Sequence, residues 1–200
     1  MKSKLLLLFL LVVPAVFWVF FEKVKINSRR LNYYGPKTVK GRGDTLFHQV
    51  PDSLLPFDMA SSVVVIPINE KYAERQYHLQ SILEALRFRP EKLSGVPLIF
   101  LKLNNKNYDF LNYVLESKAD VQVAQTDSLK FVQLNNAMYI QKPYYVFDYF
   151  GVLLDENRHI RGYYNFAFAD EVKRMTQEYQ HLRLKEEGKK IKESHVIEQK

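Results

Sequence analysis

The side chain that most often carries metal or redox chemistry is missing: there is no cysteine among the 200 residues. That excludes a disulfide framework, a thiol redox pair and any thiolate metal site. The soft or borderline ligands considered instead are His48, His78, Met59 and Met138, which are scattered along the chain. Both residue types can bind copper, yet scattered methionines usually fill core gaps, and a lone histidine on a strand is more often a hydrogen-bonded structural residue. Asp148, Asp155 and Glu156 lie near one sheet end and could be imagined as paired carboxylates. No nucleophile, base and orienting group accompanies them, and turn acids at a hairpin are usually solvated. The residues therefore point to a protein that is not an enzyme, with no catalytic, cofactor-binding or metal residue to assign.

The element that would position any ligand is the run 63–68, Val-Val-Val-Ile-Pro-Ile. A β-branched run of this kind marks a strand covered on both faces. Leu79, Ile82, Leu83 and Leu86 follow at i, i+3, i+4 and i+7, one apolar stripe of a helix. In an open α/β sheet the crevice beyond the carboxyl end of such a strand is the usual ligand site. Here it would hold residues 69–75, Asn-Glu-Lys-Tyr-Ala-Glu-Arg, which offer neither cysteine nor histidine.

Strands and helices then alternate. Residues 96–103 read as a second buried strand, with Pro97 confined to its beginning, and 107–116 as a helix with Tyr108, Leu111 and Leu115 on one face. Residues 120–124 make a third strand, and Asp127-Ser128 can cap a short helix through Asn135. This order predicts a largely parallel central sheet with right-handed crossovers. Pro143 precedes a strand over 144–155 and is read as an ordinary strand starter, with a cis proline as the competing reading. Tyr139, Tyr144, Tyr145 and Tyr149 read as core and rim packing at strand spacing. A hairpin, strand 150–154, turn 155–158 and strand 160–164, leads into a helix with Val172, Met175, Tyr179 and Leu182 inward. Residues 185–200 are rich in Lys and Glu, with Gly188 interrupting, and are expected to fray into a charged tail.

The formal charge of +7 is unevenly placed. Residues 1–42 carry nine Lys or Arg and one Glu, whereas 43–200 carry 20 basic and 21 acidic residues. A nearly neutral domain has no basic groove to track phosphates, which argues against nucleic-acid binding. Residues 5–21 are an unbroken apolar run flanked by Lys2, Lys4, Lys23 and Lys25, close to the ~17–25 residues that cross a bilayer. A cleavable signal wants small residues in an A-x-A-like pattern, but 16–21 is Val-Phe-Trp-Val-Phe-Phe, so an uncleaved anchor over 1–22 is the expectation. Residues 23–44 form a basic juxtamembrane segment, either a solvated linker or one attracted to anionic lipid heads. By the positive-inside rule its Lys and Arg residues favour a cytoplasmic domain. The turn signals Gly35-Pro36 and Gly41-Arg42-Gly43-Asp44 place the start of the domain near Thr45, with a short edge strand over 45–50 that contains His48.

Val152-Leu153-Leu154-Asp155 with Ile160-Arg161-Gly162-Tyr163-Tyr164 and then a helix resembles the carboxyl end of the Sco/SenC family, membrane-anchored thioredoxin-fold proteins that deliver copper to cytochrome c oxidase. The apolar run, Tyr33-Tyr34-Gly35-Pro36, and Gly43-Asp44-Thr45 with His48 and Pro51-Asp52 are similar to the amino-terminal part of its bacterial members. The resemblance covers both ends of the chain and implies an α/β thioredoxin-like domain over 45–184, a central mixed sheet flanked by helices, preceded by one transmembrane helix. It also implies an inner-membrane protein with its domain in the periplasm, against the charge rule. The chemistry departs from the family. Its Cys-x-x-x-Cys-Pro segment corresponds to 69–75 here, and its copper-ligating histidine falls where this chain has Phe147 and Asp148. Copper(I) prefers thiolate sulfur, which Asn, Glu, Lys or Asp cannot replace.

The reading that follows is a membrane-tethered, non-catalytic relative that binds a protein partner in respiratory oxidase assembly or copper handling, without copper at the usual site. The alternatives are a copper carrier with His and Met ligands, and an unrelated extracytoplasmic binding module.

Overall fold

The computed structural model describes residues 31–39, 45–68, 95–104, 111–112, 120–144, 146, 150–166 and 168–198, with side chains described as far as residue 189. The chain divides into residues 1–30 and 31–200. The expected anchor at 5–21, the helix with its stripe at 79–86, and most of the helix expected at 107–116 lie outside the described residues. Among the described residues, no helix is long and apolar enough to cross a membrane.

Strands β1 (Lys37–Val39) and β2 (Thr45–Phe47) pair antiparallel as a separate ribbon. The main sheet contains β3 (Val63–Pro67), β4 (Leu98–Leu103), β5 (Val121–Thr126), β6 (Phe150–Leu154) and β7 (Ile160–Asn165), in the order β5-β4-β3-β6-β7. The β3–β4 and β4–β5 pairs are parallel, whereas β3–β6 and β6–β7 are antiparallel. The sheet is therefore mixed rather than largely parallel, and with its flanking helices it matches a thioredoxin-like fold. The antiparallel pairing of β6 with β7 follows from the tight turn at 155–158, since a connection this short can join only antiparallel neighbours.

Alternation of side chains sorts the apolar runs between two cores. Val64, Ile66, Leu98, Phe100, Leu153, Tyr164 and Phe166 pack on one face under Val172, Met175, Tyr179 and Leu182 of helix α2 (Ala169–Glu198). Val63, Val65, Ile99, Leu101, Val152, Leu154 and Tyr163 pack on the other, against Phe131, Leu134 and Met138 of helix α1 (Ser128–Met138). Neither face of β3 or β6 meets solvent, so neither strand carries a polar residue. Each large apolar side chain so buried contributes roughly 1.5–3 kcal/mol.

Helix α1 begins where its sequence signal lies: the Asp127 side chain accepts a hydrogen bond from Lys130 N at 2.9 Å. Asp127→Ala removes that acceptor and is expected to cost about 1 kcal/mol of unfolding free energy, measurable by urea titration. The helix runs three residues past the expected end, because Met138 still fits the core stripe. The Pro143 peptide bond is trans, with no cis bond among the described residues. Strand β6 starts at Phe150 rather than at 144, and Tyr144 is 89% exposed rather than packed. Tyr139 does pack, its ring 5.0 Å from that of Phe150.

Contacts of the described residues reach past both expected domain limits. At the carboxyl end α2 continues through Gly188 to Glu198 instead of fraying from 185. Glu186 is buried there, accepting hydrogen bonds from the Ser62 hydroxyl and amide, and Lys189 pairs with Glu156 at 3.1 Å. Tertiary contacts of this kind override the ~1 kcal/mol that a glycine costs inside a helix. At the amino end residues 31–39 belong to the domain, because Tyr34 bridges to Ile160 and its amide donates to the Ile160 carbonyl at 3.0 Å.

Three tyrosines give the core a pH signature. The Tyr163 hydroxyl donates to the Met138 and Ile140 carbonyls, and the Tyr164 hydroxyl donates to Glu178 Oε2 at 2.6 Å. Burial pushes both phenols well above their ordinary value, the negative charge of Glu178 adds to the rise at Tyr164, and burial also raises Tyr179. Above pH ~10 the unfolded chain loses phenolic protons that the folded chain keeps, so stability is expected to fall as pH rises beyond that point. Urea midpoints measured on the alkaline side check this, and Tyr164→Phe should flatten the fall.

Candidate functional site

The crevice expected beyond the carboxyl end of β3 begins at residue 69, outside the described residues, as do Phe147, Asp148 and His78. The polar cluster that the described residues do form lies at the opposite end of the sheet. Val63 at the start of β3 is paired with Leu154 at the end of β6, so the turn 155–158 sits beside the amino end of β3.

Asp155 organises this turn. Its Oδ1 accepts from the Asn157 and His159 amides, each at 3.0 Å, while the Arg158 amide donates to the Asp155 carbonyl at 2.8 Å. Arg158 takes a left-handed conformation, φ 63°, and its guanidinium reaches Asp52 at 3.4 Å. An aspartate that bonds its own turn two residues on has a well-known local role. Its burial does not follow from that role: Asp155 is 5% exposed, and the expectation of a solvated turn acid is corrected here.

Two cations or potential cations account for the burial. His159 Nδ1 lies 3.1 and 3.2 Å from the two Asp155 oxygens, and Arg161 Nη1 donates to Asp155 Oδ2 at 3.0 Å. Arg161 sits at an irregularity of the β6–β7 ladder, where Leu153 pairs with Gly162 but Leu154 pairs with Ile160. The skipped residue of such a bulge is turned out of the regular alternation, which lets a charged side chain on a buried strand reach a carboxylate. The rest of the guanidinium holds the entering chain: Nε donates to the Asn32 carbonyl at 3.1 Å and Nη2 to the Leu31 carbonyl at 2.9 Å. Its carbon lies 3.8 Å above the centre of the Tyr33 ring. Tyr33 in turn stacks on Phe47 at 3.9 Å, and both rings meet the His159 imidazole edge-on.

An aspartate–imidazole pair is also the orienting half of a catalytic triad, so the other ring nitrogen decides the chemistry. His159 Nε2 faces the Gln49 amide nitrogen at 3.3 Å. An amide is no nucleophile, and Tyr33 and Phe47 cover the imidazole. The cluster therefore acts as a clasp, binding the amino-terminal segment and the ribbon to the sheet.

The candidate metal ligands among the described residues, His48, Met59 and Met138, are occupied by other tasks. His48 Nε2 lies 3.2 Å from the Ala137 carbonyl. Its side chain also closes against Gly35, whose φ is +104° and where an added Cβ would stand 2.5 Å from His48 Cβ. Met138, the last residue of α1, is fully buried in the core, and Met59 packs against that core. Among the described residues no group of three or more His, Cys, Asp or Glu is placed to hold a metal ion. The sequence singled out neither His159 nor Gln49, and Tyr33 and Arg161 entered only as motif residues of the resemblance, not as members of a site. One signal was present, an arginine between Ile160 and Tyr163 on an otherwise buried strand.

No family model matches this chain, and no curated protein sequence matches it. Solved structures do. A protein of Aquifex aeolicus VF5 described as an electron transport protein is 14% identical, with 78% of this chain and 98% of that one covered and a TM-score of 0.44. A thiol:disulfide interchange protein from a Bacteroides species is 10% identical over 75% of this chain and 92% of that one, with a TM-score of 0.40. The copper-bound ScoI protein of Arabidopsis thaliana is 10% identical over 76% and 99%, with a TM-score of 0.39. The thioredoxin-like assignment stands on the strand order and directions themselves.

Proposed function

We propose that this chain is a membrane-tethered, non-catalytic, Sco-like domain that binds a protein partner in respiratory oxidase assembly or copper handling. One observation carries the reading. Of the segments that resemble the Sco/SenC family, 33–36 and 43–52 lie about a hundred residues or more before 152–164 in sequence, yet the described members of all three pack on one another. Tyr34 bridges to Ile160, Gly35 closes on His48, and Arg161 caps Tyr33. These motif residues support one another's positions, so keeping them keeps the scaffold. A chain without cysteine cannot supply the thiolate grip on copper(I). A scaffold of this kind with no thiol suits a role exercised through its surface, with the residues 5–21 holding it at the bilayer.

Photo-crosslinking from native membranes, followed by purification of the full chain, tests the reading. Recovery of an oxidase subunit or copper-handling protein supports it, and recovery of neither in repeated experiments counts against it. Anaerobic titration with copper(I) is expected to show no stoichiometric tight binding. A tight one-to-one complex would replace this reading with a carrier that uses His and Met ligands.

A further inference from the structure

The main sheet ends in two edge strands, β5 and β7, and the chain treats them differently. The edge of β7 is met by the amino-terminal segment, through bridges from Tyr34 to Ile160 and from Gln49 to His159, and all of β7 is buried. Beyond β5 no strand lies among the described residues. The ladder shows where its free groups point. The Leu98 amide donates to the Asp120 carbonyl at 2.8 Å, and the Asn104 amide donates to the Thr126 carbonyl at 3.0 Å. Leu98 is paired with Val121, and the parallel register runs unbroken to Thr126, so the even-numbered residues of β5 are the ones that bond to β4. The N–H and C=O groups of Val121, Val123 and Gln125 therefore face outward.

Native edge strands are commonly blunted by a lysine, a proline or a bulge. β5, Val-Gln-Val-Ala-Gln-Thr, has no charge and no proline, and its ladder with β4 has no register shift. Gln122 and Gln125 are exposed on it. The neutrality continues into α1: residues 121–141 hold only Asp127 and Lys130 as charged side chains, whereas 26% of the whole chain is charged. On that helix Leu129 is 68% exposed and Val132 54%. Depletion of charge beside exposed apolar side chains is the composition of an interface rather than of a solvated face.

Two properties select the occupant. A neutral strand has no charge by which to choose a foreign partner, and it meets no like-charge penalty against itself. The three outward residues are also symmetric about Val123. When two copies meet antiparallel with Val123 on a two-fold axis, Val121 faces Gln125 of the second copy, and every outward N–H meets an outward C=O. Asp120 then faces Thr126, so no charged residue faces another.

We propose that β5 pairs antiparallel with β5 of a second copy of this chain, across an axis at Val123, joining two sheets into one. The pairing is independent of the reading of 5–21 as an anchor and of any other partner.

The chain has no cysteine, so a single introduced thiol can be crosslinked only to the same position of another copy. The purified full chain carrying Gln122→Cys is treated with a short thiol-to-thiol crosslinker, with Gln177→Cys, exposed on α2, as reference. In the proposed register the two thiols at 122 are diagonal neighbours, roughly 7–8 Å apart. The expected result is a crosslinked dimer at 122, background at 177, and twice the mass of one chain by light scattering of the parent. Val123→Pro, placed in the Gln122→Cys chain, removes an outward N–H but no bond of the chain's own ladder, and should abolish the crosslink. Gln122→Lys with Gln125→Lys sets lysines of the two copies against one another and should halve the mass, with circular dichroism unchanged. Equal crosslinking at 122 and 177, a parent chain with the mass of one copy, or a dimer that survives both lysines in a folded chain would overturn the pairing. Should the lysine variant not fold, stronger crosslinking at 122 than at 177 in the folded single-cysteine chains still supports the pairing, and equal crosslinking still removes it.

Discussion

Asp155→Ala is expected to lower the unfolding free energy by about 3–5 kcal/mol, measured by urea unfolding followed by circular dichroism. The reason is what the substitution leaves behind. Arg161 is 5% exposed, and two of its nitrogens are committed to the Leu31 and Asn32 carbonyls, so it has no route to water once its carboxylate is gone. An uncompensated buried charge costs far more than an intact pair contributes. The turn loses its organiser as well, since the Asn157 and His159 amides both donate to the same carboxylate oxygen. Asp155→Asn keeps an acceptor oxygen for those amides and removes only the charge, so its loss should be smaller. Replacing Arg161 as well with Met should recover part of the Asp155→Ala loss, because no charge is then stranded. A loss below about 1 kcal/mol in Asp155→Ala would mean that the pair behaves as a surface contact, and the clasp would have to be abandoned.

Phe166→Ala should cost about 3–5 kcal/mol, and its cost is tied to a glycine on the neighbouring strand. Phe166 is buried in the core under α2, and its ring occupies the space above Gly151. A Cβ added at Gly151 would stand 2.4 Å from Phe166 Cζ and 3.0 Å from Val64 Cγ1. Gly151→Ala by itself is therefore expected to destabilise by about 1–3 kcal/mol, through overpacking rather than through backbone freedom. In the Phe166→Ala background the methyl group enters the vacated space, and the cost of Gly151→Ala should drop by more than half. A double-mutant cycle reads this as a coupling of roughly 0.5–3 kcal/mol. Simple additivity would show that the ring moves aside freely, contrary to the close packing of the core.

Much of the scaffold was legible because its causes are local. The β-branched run at 63–68 could only be a strand with both faces covered, and it is buried throughout β3. Asp127 before an apolar helical stripe marked the start of α1, because a capping carboxylate acts within three residues. The stripe Val172, Met175, Tyr179 and Leu182 pointed inward as its spacing required. Local rules misled where distant partners intervened. Gly188 and a run of charges argue for a frayed tail until Glu186 is seen to meet Ser62, 124 residues away. Tyr144 has the spacing of a packed strand residue, yet it lies in a loop and faces solvent.

The absence of any thiol chemistry was settled by composition alone, since a side chain that is not encoded cannot be assembled by folding. The order of elements, and the sharing of apolar residues between two cores, followed from periodicity, which acts over a few residues at a time. The clasp was decided by tertiary structure. It depends on a bulge that turns Arg161 toward Asp155 and on carbonyls about 130 residues upstream, and no pattern along the chain specifies which backbone oxygen a guanidinium will find. Long-range electrostatics and register are properties of the assembled sheet, so the end of the domain that receives the amino-terminal segment became visible only with the fold in hand.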